Sequence, residues 1–311
     1  MRLYKVFLPT LINLHFTAMT KPRIALVIGI ICISIFPILV KLKLAPPIVS
    51  AFYRMAIAAT VLVPFALISG KYRIPSLKMF WLTVICGGLF ALDVTVWNIA
   101  IQESTATQAT LLTNLSPVWV GIGAFFFLKN KPTTNFWIGT VVAIFGMITL
   151  VGFHFFLNLD FNLAFIFAIL SGIFYAIYML VSKYVLYEVE VIPFITMSTL
   201  TSAIFLAILS YANNEPFIGY SNAGWLVFLV QGIVCQLVAW LMLGYATKHM
   251  RATRVSVSLL GQAVLTTLLA WMFIDEEVTF QMLIGGVILL FGIWITFYEK
   301  QIYFFRKQKR L

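Results

Sequence analysis

Apolar blocks of about twenty residues, separated by short polar loops, follow one another along almost the whole chain. A helix rises 1.5 Å per residue, so about 20 apolar residues cross a hydrocarbon core of roughly 30 Å. The pattern therefore predicts an all-α polytopic membrane protein with ten transmembrane helices. The predicted spans are residues 23–41, 47–69, 78–100, 105–128, 135–153, 161–182, 191–212, 223–246, 252–274 and 280–298.

The composition supports a lipid bilayer as the solvent of this chain. Of its 311 residues, 62% are hydrophobic and 10% are charged. Soluble domains have about 45–50% apolar and about 25% charged residues. A soluble core of this size could not bury so much apolar surface, so a soluble globular fold is excluded.

The loop charges predict the orientation of the helices. With the N-terminus in the cytoplasm, 18 of the 21 Lys and Arg residues lie on that side, and only Lys41 and Lys43 lie outside. This is the positive-inside bias of membrane proteins. We expect a multi-pass protein of the bacterial inner (plasma) membrane with both termini cytoplasmic, a cytoplasmic N-terminal segment at 1–22 and a basic tail at 299–311.

The net charge of +11 does not indicate nucleic-acid binding. The basic residues lie in short loops and tails, whereas a nucleic-acid site gathers them on one face with interleaved aromatic residues. We therefore expect no nucleic acid among the partners.

The chain contains an internal repeat. A shift of 146 residues aligns residues 98–152 with residues 244–298 without a gap, and it pairs Gly139 with Gly285 and other identical residues at both helix and loop positions. Apolar segments match partly by chance, but chance does not explain the shared register of the glycines and of the loops.

The repeat is inverted relative to the membrane. Five predicted helices separate the two copies, and this odd number places equivalent loops on opposite faces. The loop charges agree, because the basic loop 129–131 aligns with the acidic loop 275–277. The first five-helix repeat is predicted at 23–153 and the second at 161–298.

Inverted repeats are a recurring design of secondary transporters, which bind substrate near the middle of the membrane and alternate between two access states. The repeat therefore favours a transporter. A duplication that serves only the structure is the alternative.

Two ionisable residues, Arg54 and Asp93, lie well inside predicted helices 2 and 3. A charge at that depth is costly unless it is paired or reaches water, so both side chains should face the interior of the bundle. Both lie roughly 10–12 Å below the external surface at 1.5 Å per residue, which allows an ion pair between them. Such a pair would either link the two helices or bind substrate and protons during transport.

Two further residues are placed at a similar depth. Trp97 lies four residues after Asp93 and shares its helix face, and Asn114 in helix 4 falls near the same level. Both are candidate cavity-lining residues. Trp97 could equally be an interfacial tryptophan.

The second half contributes three candidates of its own. Gln236 and Trp240 lie four residues apart on helix 8, and Gln262 lies at the middle of helix 9. Substrate contact and interhelical hydrogen bonding explain these amides equally well. Tyr175 and Tyr178 could present hydroxyl groups inward, but packing in the core or against lipid is the more common role of such aromatics.

Helices 4 and 9 are the expected gating elements. Pro37, Pro64 and Pro117 are predicted to interrupt their helices, which frees carbonyl groups for neighbours or for a cavity. Pro117 follows Asn114, in a segment whose repeat partner contains Gly261. We therefore predict that Pro117 and Gly261 take part in gating.

Several segments resemble the EamA-type permeases of the drug/metabolite transporter superfamily. The segments LDVTVWNIA at 92–100 and ATQATLLTNLSPVW at 106–119 are similar to the signature of its third and fourth helices. Further similarities are Phe52-Tyr53-Arg54 in helix 2, Ile274-Asp275-Glu276 at the end of helix 9, and Thr279 and Gly285 at the start of helix 10.

The resemblance covers residues 23–298 and implies a five-plus-five inverted-repeat fold that exports amino acids, metabolites or drugs. It implies a small-molecule substrate, with protons as the candidate coupling ion, no cofactor, and a monomer or homodimer. Two positions depart from the family pattern. Asn130 replaces a frequent glutamate in the first repeat, and Ala263 replaces a frequent proline in the second.

An enzyme is not expected. Asp93 is the only acid within a predicted span, and the histidines lie near interfaces or tails. No pattern of catalytic or metal-binding residues is present, and the three cysteines lie in apolar blocks without paired spacing. A channel-like facilitator and a scaffold that does not transport remain the alternatives to a carrier.

Overall fold

The computed structural model describes residues 20–70, 73, 76–103, 112–129, 131–152, 163–274 and 277–298. These residues form ten helices and the segments that connect them, and no strand occurs among them. They are α1 (Thr20–Lys41), α2 (Pro47–Ile68), α3 (Leu77–Glu103), α4 (Ser116–Phe127), α5 (Thr134–Val151), α6 (Leu163–Val185), α7 (Val191–Ala212), α8 (Asn222–His249), α9 (Ala252–Phe273) and α10 (Phe280–Phe297).

The predicted fold class is confirmed. In the described part of the chain, nine helices are long and apolar enough to span a bilayer, and α4 is an apolar helix of 12 residues. The first part of predicted helix 4, residues 105–111, lies outside the described residues. So do most of the predicted N-terminal segment, the basic tail and the acidic pair at 275–276.

Equivalent threonines begin the last helix of each repeat. The Thr133 hydroxyl accepts a hydrogen bond from the backbone N–H of Phe136, and the Thr279 hydroxyl accepts one from the N–H of Met282. A threonine before the first turn satisfies an N–H group that has no partner within the helix. The two caps lie 146 residues apart, so they belong to equivalent positions of the repeat.

Helices α5 and α10 cross so closely that only glycine fits at the contact. A Cβ atom on Gly146 would lie 2.3 Å from the backbone nitrogen of Leu289, and one on Gly292 would lie 2.4 Å from that of Ala143. A shift of 146 residues exchanges these two contacts. The crossing therefore lies on the pseudo-two-fold axis that relates the two inverted halves, and small residues allow the close approach there.

The breaks at α4 and α9 occur within one residue of equivalent positions. The chain leaves helical geometry at Asn114–Leu115 before α4 and at Leu259–Leu260 within α9. The expectation that helices 4 and 9 are bent is thus met. Pro37 likewise follows a break in α1 at Ile35, but Pro64 does not interrupt its helix, because α2 continues to Ile68.

Helix α8 contains a feature that the sequence pattern does not show. Gln231–Val238 forms a π-helical segment within it. Its hydrogen bonds span five residues, and Gln231 and Gln236 are five residues apart, so both reach towards α2. The Ser50 hydroxyl donates to Gln231 Oε1 at 3.2 Å, and Arg54 donates to Gln236.

The loop between α7 and α8 docks on the start of α2, at the predicted external face. Glu215 Oε2 accepts the backbone N–H of Val49 at 2.8 Å, and the Tyr53 hydroxyl donates to the Phe217 carbonyl at 2.5 Å. Burial raises the pKa of the Glu215 carboxyl, while the hydrogen bonds from the α2 backbone oppose that shift. The carboxylate accepts one of the N–H groups that the start of a helix leaves unpaired.

At the opposite, predicted cytoplasmic face, Lys183 on α6 forms hydrogen bonds to the end of α8. This residue is 6% exposed, and its Nζ donates to the carbonyls of Thr247 and Lys248 at 2.8 and 2.9 Å. A cation at the last carbonyls of a helix is favourable because the helix dipole is negative there. Lys248 also forms an ion pair with Glu190 at 2.8 Å. Helices α6 and α8 are therefore joined at this face.

Candidate functional site

A cavity of about 300 Å³ lies between the two halves. Its wall includes Lys41 at the end of α1, Val151 at the end of α5, and Glu277 before α10, all at the predicted external face. Among the described residues, neither Lys183 nor the others at the predicted cytoplasmic face line it. The described lining therefore reaches the predicted external face and stops short of the cytoplasmic one.

Arg54 lies on the wall and is held from two sides. Its Nε donates to Gln236 Oε1 at 3.0 Å, its Nη2 donates to the Cys235 carbonyl at 3.5 Å, and the residue is 2% exposed. Its guanidinium lies 4.0 Å from the centre of the Phe36 ring, which stacks at 5.1 Å on Trp97. A planar cation over an aromatic face gains further attraction, so the charge has a fixed position.

The close approach of α2 and α8 explains why Arg54 meets Gln236. A Cβ atom on Gly232 would lie 2.6 Å from Ile57 and 3.4 Å from the Arg54 carbonyl. Glycine thus allows the backbones to approach. The π-helical segment then presents Gln236 and the Cys235 carbonyl to the guanidinium.

Asp93 has a different partner from the one its depth suggested. Ser171 Oγ on α6 donates to Asp93 Oδ1 at 2.6 Å, and Thr113 Oγ1 lies 3.5 Å from Ser171 Oγ. Within the described residues no direct ion pair joins Asp93 to Arg54, although both side chains line the cavity. Near the middle of the bundle, the cavity wall therefore presents Arg54 and Asp93 at separate positions, in addition to Lys41 and Glu277 at the predicted external face.

Gln262 connects the broken part of α9 to α1. Pro37 lacks an N–H group, so the Ile33 carbonyl has lost its usual partner in the helix. Gln262 Nε2 donates to that carbonyl at 3.4 Å, and the Thr266 hydroxyl donates to the next one, Ser34, at 2.9 Å. Gln262 is thus both an interhelical hydrogen-bond donor and part of the cavity wall.

Aromatic residues form the floor of the cavity. Phe90, Tyr175 and Trp240 line it, and Trp240 packs edge-on against Phe90 with ring centres 4.3 Å apart. Tyr178 lies behind them, 5.5 Å from Trp240 and 5.1 Å from Phe90. This layer separates the cavity from the predicted cytoplasmic face.

The structure brings together most of the residues predicted from sequence. Gln236 lies behind the wall as the partner of Arg54, while Pro117 and Gly261 lie beside the two helix breaks and do not line the cavity. Six predicted residues lie on the wall, namely Arg54, Asp93, Trp97, Asn114, Trp240 and Gln262. Their roles in binding and gating remain predictions.

Four residues at this site were not predicted. Phe36 and Phe90 belong to runs of apolar residues, and hydropathy does not distinguish a cavity-facing ring from one that faces lipid. Ser171 and Thr113 are small hydroxyl residues of the kind that commonly join membrane helices. Both lie at a depth similar to that of Asp93, and Thr113 also lies in the 106–119 segment.

No group of three or more His, Cys, Asp or Glu side chains that could hold a metal ion occurs among the described residues. The polar groups of the cavity are instead the guanidinium of Arg54, the ammonium of Lys41, the carboxylates of Asp93 and Glu277, and a set of amides, hydroxyls and indole N–H groups. These groups can bind and orient a small polar molecule through charge and hydrogen bonds.

Comparison with known proteins places this cavity in a recognised architecture. The model of the EamA-like transporter family matches the chain twice, over residues 21–152 and over residues 162–298. A crystal structure of another protein superposes with a TM-score of 0.76, covering 89% of this chain and 96% of that chain at 17% identity. At that identity the likeness is one of fold.

Two sequence relatives illustrate the range of similar proteins. The uncharacterized transporter YdfC of Bacillus subtilis is 24% identical over 249 residues, which cover 79% of this chain and 80% of that protein. An S-adenosylmethionine uptake transporter of Rickettsia felis is 25% identical over 154 residues, which cover 50% of this chain and 51% of that protein.

Proposed function

From the premise that the chain belongs to the EamA-like transporter family, we propose that it is a secondary transporter that exports small metabolites by alternating access. The cargo is of the amino-acid or drug-like class, and the protein works as a monomer or homodimer in a bacterial inner membrane with both termini in the cytoplasm. The cavity carries this proposal, because it lies between inverted halves, its described lining reaches one face, and both Arg54 and Asp93 line it.

The geometry also supports a carrier over a pore. Phe90, Tyr175 and Trp240 close the cavity on one side. Beyond them, the hydrogen bonds of Lys183 join α6 to α8 at the predicted cytoplasmic face. A channel needs a continuous route when it conducts, whereas a carrier is closed on one side of its substrate in each access state. We therefore assign this arrangement, within the proposal, to an access state that faces the predicted external side.

Counterflow in proteoliposomes tests the carrier directly. The probes are the twenty proteinogenic amino acids, S-adenosylmethionine and ethidium, each radiolabelled outside vesicles loaded with the same unlabelled compound. We expect saturable counterflow of at least one probe, because a carrier exchanges labelled for unlabelled cargo. An absence of counterflow for every probe would contradict the proposal. Single-channel currents in a planar bilayer would show a channel instead.

Export is tested separately in cells. A strain that overproduces the protein should hold less of the transported probe, and a deletion strain should hold more, than the parent strain. The opposite pattern would show uptake. The Rickettsia relative is named for uptake, so this measurement decides between the two directions.

We propose that Asp93 carries the proton that couples transport. With one proton exchanged per substrate, a gradient of one pH unit supplies about 1.4 kcal/mol and supports about tenfold accumulation. We expect Asp93→Asn to retain counterflow but to lose accumulation driven by the gradient, since the amide cannot release a proton. Measurement of accumulated probe at imposed pH gradients checks this.

Ser171→Ala is the matched control, because it removes the hydrogen bond to Asp93 but leaves the carboxyl group. It should still accumulate the probe in response to the gradient, with a shifted pH dependence. If Asp93→Asn accumulates the probe as the unmodified protein does, Asp93 is not the proton carrier.

A further inference from the structure

A second, much smaller cavity lies on the other side of the aromatic floor. It has a volume of about 10 Å³, which is about the space that one water molecule needs. Its lining includes Ser182 on α6, Phe194 on α7 and Thr247 on α8. These residues lie towards the predicted cytoplasmic face, near the carbonyls that Lys183 binds.

Three residues belong to the walls of both cavities, namely Tyr175, Trp240 and Leu243. They form a single layer of side chains between the large cavity and the small one. Trp240 is 5% exposed and is fixed by the rings of Phe90 and Tyr178. A movement of this layer would join the two cavities into one route.

The layer contains two polar atoms that lack hydrogen-bond partners in the described part of the chain. They are the Tyr175 hydroxyl oxygen and the Trp240 indole nitrogen, and both atoms are buried. A buried polar group without a partner costs about 1–3 kcal/mol. The cost would be relieved if a ligand in the cavity accepted hydrogen bonds from these two groups.

The charge next to the layer favours the same kind of ligand group. Arg54 lies 5.9 Å from the Phe90 ring, which contacts Trp240. A guanidinium and an indole N–H are donors only, and a tyrosine hydroxyl also donates. The floor therefore suits a hydrogen-bond acceptor such as a carboxylate or a carbonyl oxygen, whereas Asp93 on the wall suits a donor or a cation.

We propose that Tyr175 and Trp240 bind the acceptor end of the substrate and that, together with Leu243, they form the inner gate of the transport route. This inference rests on the proposed carrier function. When the gate opens, substrate from the cytoplasm passes from the small cavity between α6, α7 and α8 into the large cavity. Entry at the cytoplasmic face then requires that the bonds of Lys183 to the end of α8 are broken.

Cysteine labelling from outside the cell tests the gate without knowledge of the substrate. Cys32, Cys86 and Cys235 are first replaced by alanine, and Ser182→Cys is added as a reporter in the small cavity. An impermeant methanethiosulfonate reagent is applied to intact cells. We expect slow labelling when Trp240 is present and labelling several times faster in Trp240→Ala, because loss of the indole connects the cavities.

Two controls keep this result interpretable. Ile38→Cys reports on the large cavity and should be labelled equally with and without Trp240, which also shows that the variant is folded. Trp240→Phe keeps a ring in the layer and should leave Ser182→Cys protected. If Trp240→Ala fails to fold, Leu243→Ala opens the same layer. Equal labelling of the Ser182 reporter in intact and opened proteins would overturn the gate.

The hydrogen-bonding role is tested with Tyr175→Phe and Trp240→Phe, which keep the rings but remove the donors. The amino acids and S-adenosylmethionine serve as counterflow probes, and we expect severalfold slower counterflow of the probe that the unmodified protein transports. Unchanged rates in both variants would overturn this role. If the unmodified protein shows no counterflow, the carrier proposal fails. The labelling experiment does not depend on counterflow and would still test the layer between the two cavities.

Discussion

Gly285→Ala is expected to destabilise the folded protein, whereas the neighbouring Gly286→Ala is not. A Cβ atom on Gly285 would lie 2.2 Å from the backbone nitrogen of Leu150 and 2.7 Å from the Gly146 carbonyl oxygen. Backbone atoms cannot move aside as a flexible side chain can, so α5 and α10 must separate. Overpacking of this kind costs about 1–3 kcal/mol, which lowers the apparent melting temperature by about 2–10 °C.

Gly286 provides a control in the next position of the same helix. Its Cβ atom would meet Val264 at 3.6 Å, an ordinary van der Waals distance. Thermal unfolding of both purified variants in detergent, followed by size-exclusion chromatography, measures the difference. Equal melting temperatures for Gly285→Ala and Gly286→Ala would show that α5 and α10 do not pack as described.

The pseudo-two-fold axis relates the Gly285–Gly146 contact to an equivalent contact between Gly139 and Gly292, which gives a second expectation. Gly139 is the repeat equivalent of Gly285, and its Cβ atom would lie 2.6 Å from the Gly292 carbonyl oxygen. Gly139→Ala should therefore lower the melting temperature by a similar amount. A neutral Gly139→Ala beside a destabilising Gly285→Ala would contradict the symmetric crossing.

The fold could be predicted from sequence because each of its main features repeats or has a fixed length. Membrane thickness sets the length of the helices, and the odd number of helices between repeat copies sets their inversion. The two bent helices were also predictable, since Pro117 lies in helix 4 and the repeat partner of its segment, in helix 9, contains Gly261. These features follow from the lengths and the order of the apolar segments along the sequence, and they do not depend on how the helices are rotated towards one another.

The contacts at the site could not be predicted in the same way. Depth placed Arg54 and Asp93 at one level, but depth says nothing about the rotation of each helix. That rotation is set by packing, as where Gly232 admits α2 and the π-helical segment turns Gln236 towards Arg54. Asp93 instead accepts a hydrogen bond from Ser171, and the hydropathy of Ser171 does not indicate that it faces Asp93.

Tyr175 illustrates the same limit for the gate. An aromatic residue in an apolar helix has one hydropathy whether it faces lipid, the core or a cavity. The more common role was expected for it, and the structure instead places it on the walls of both cavities. Only the tertiary arrangement of α6 against α8 distinguishes these roles.

Arg54→Lys is expected to reduce counterflow by at least about tenfold, although it keeps the positive charge. The guanidinium engages Gln236 and the Cys235 carbonyl through two different nitrogens while it stacks on Phe36. An ammonium group has no planar face and reaches these partners from a single atom. Loss of one hydrogen bond to a charged group costs about 1.5–3 kcal/mol, and 1.4 kcal/mol corresponds to a factor of ten.

Arg54→Met separates binding of the substrate from a purely structural link between helices. Removal of the guanidinium also removes the cost of burying its charge, which offsets the loss of its hydrogen bonds to Gln236 and the Cys235 carbonyl. We therefore expect an unchanged melting temperature together with lost counterflow of the amino-acid and S-adenosylmethionine probes. Ser50→Ala, one turn earlier in α2, removes only a bond to Gln231 outside the cavity wall and should transport normally. If Arg54→Met keeps full counterflow, Arg54 serves only to join α2 to α8, and recognition of the acceptor end of the substrate falls to Tyr175 and Trp240.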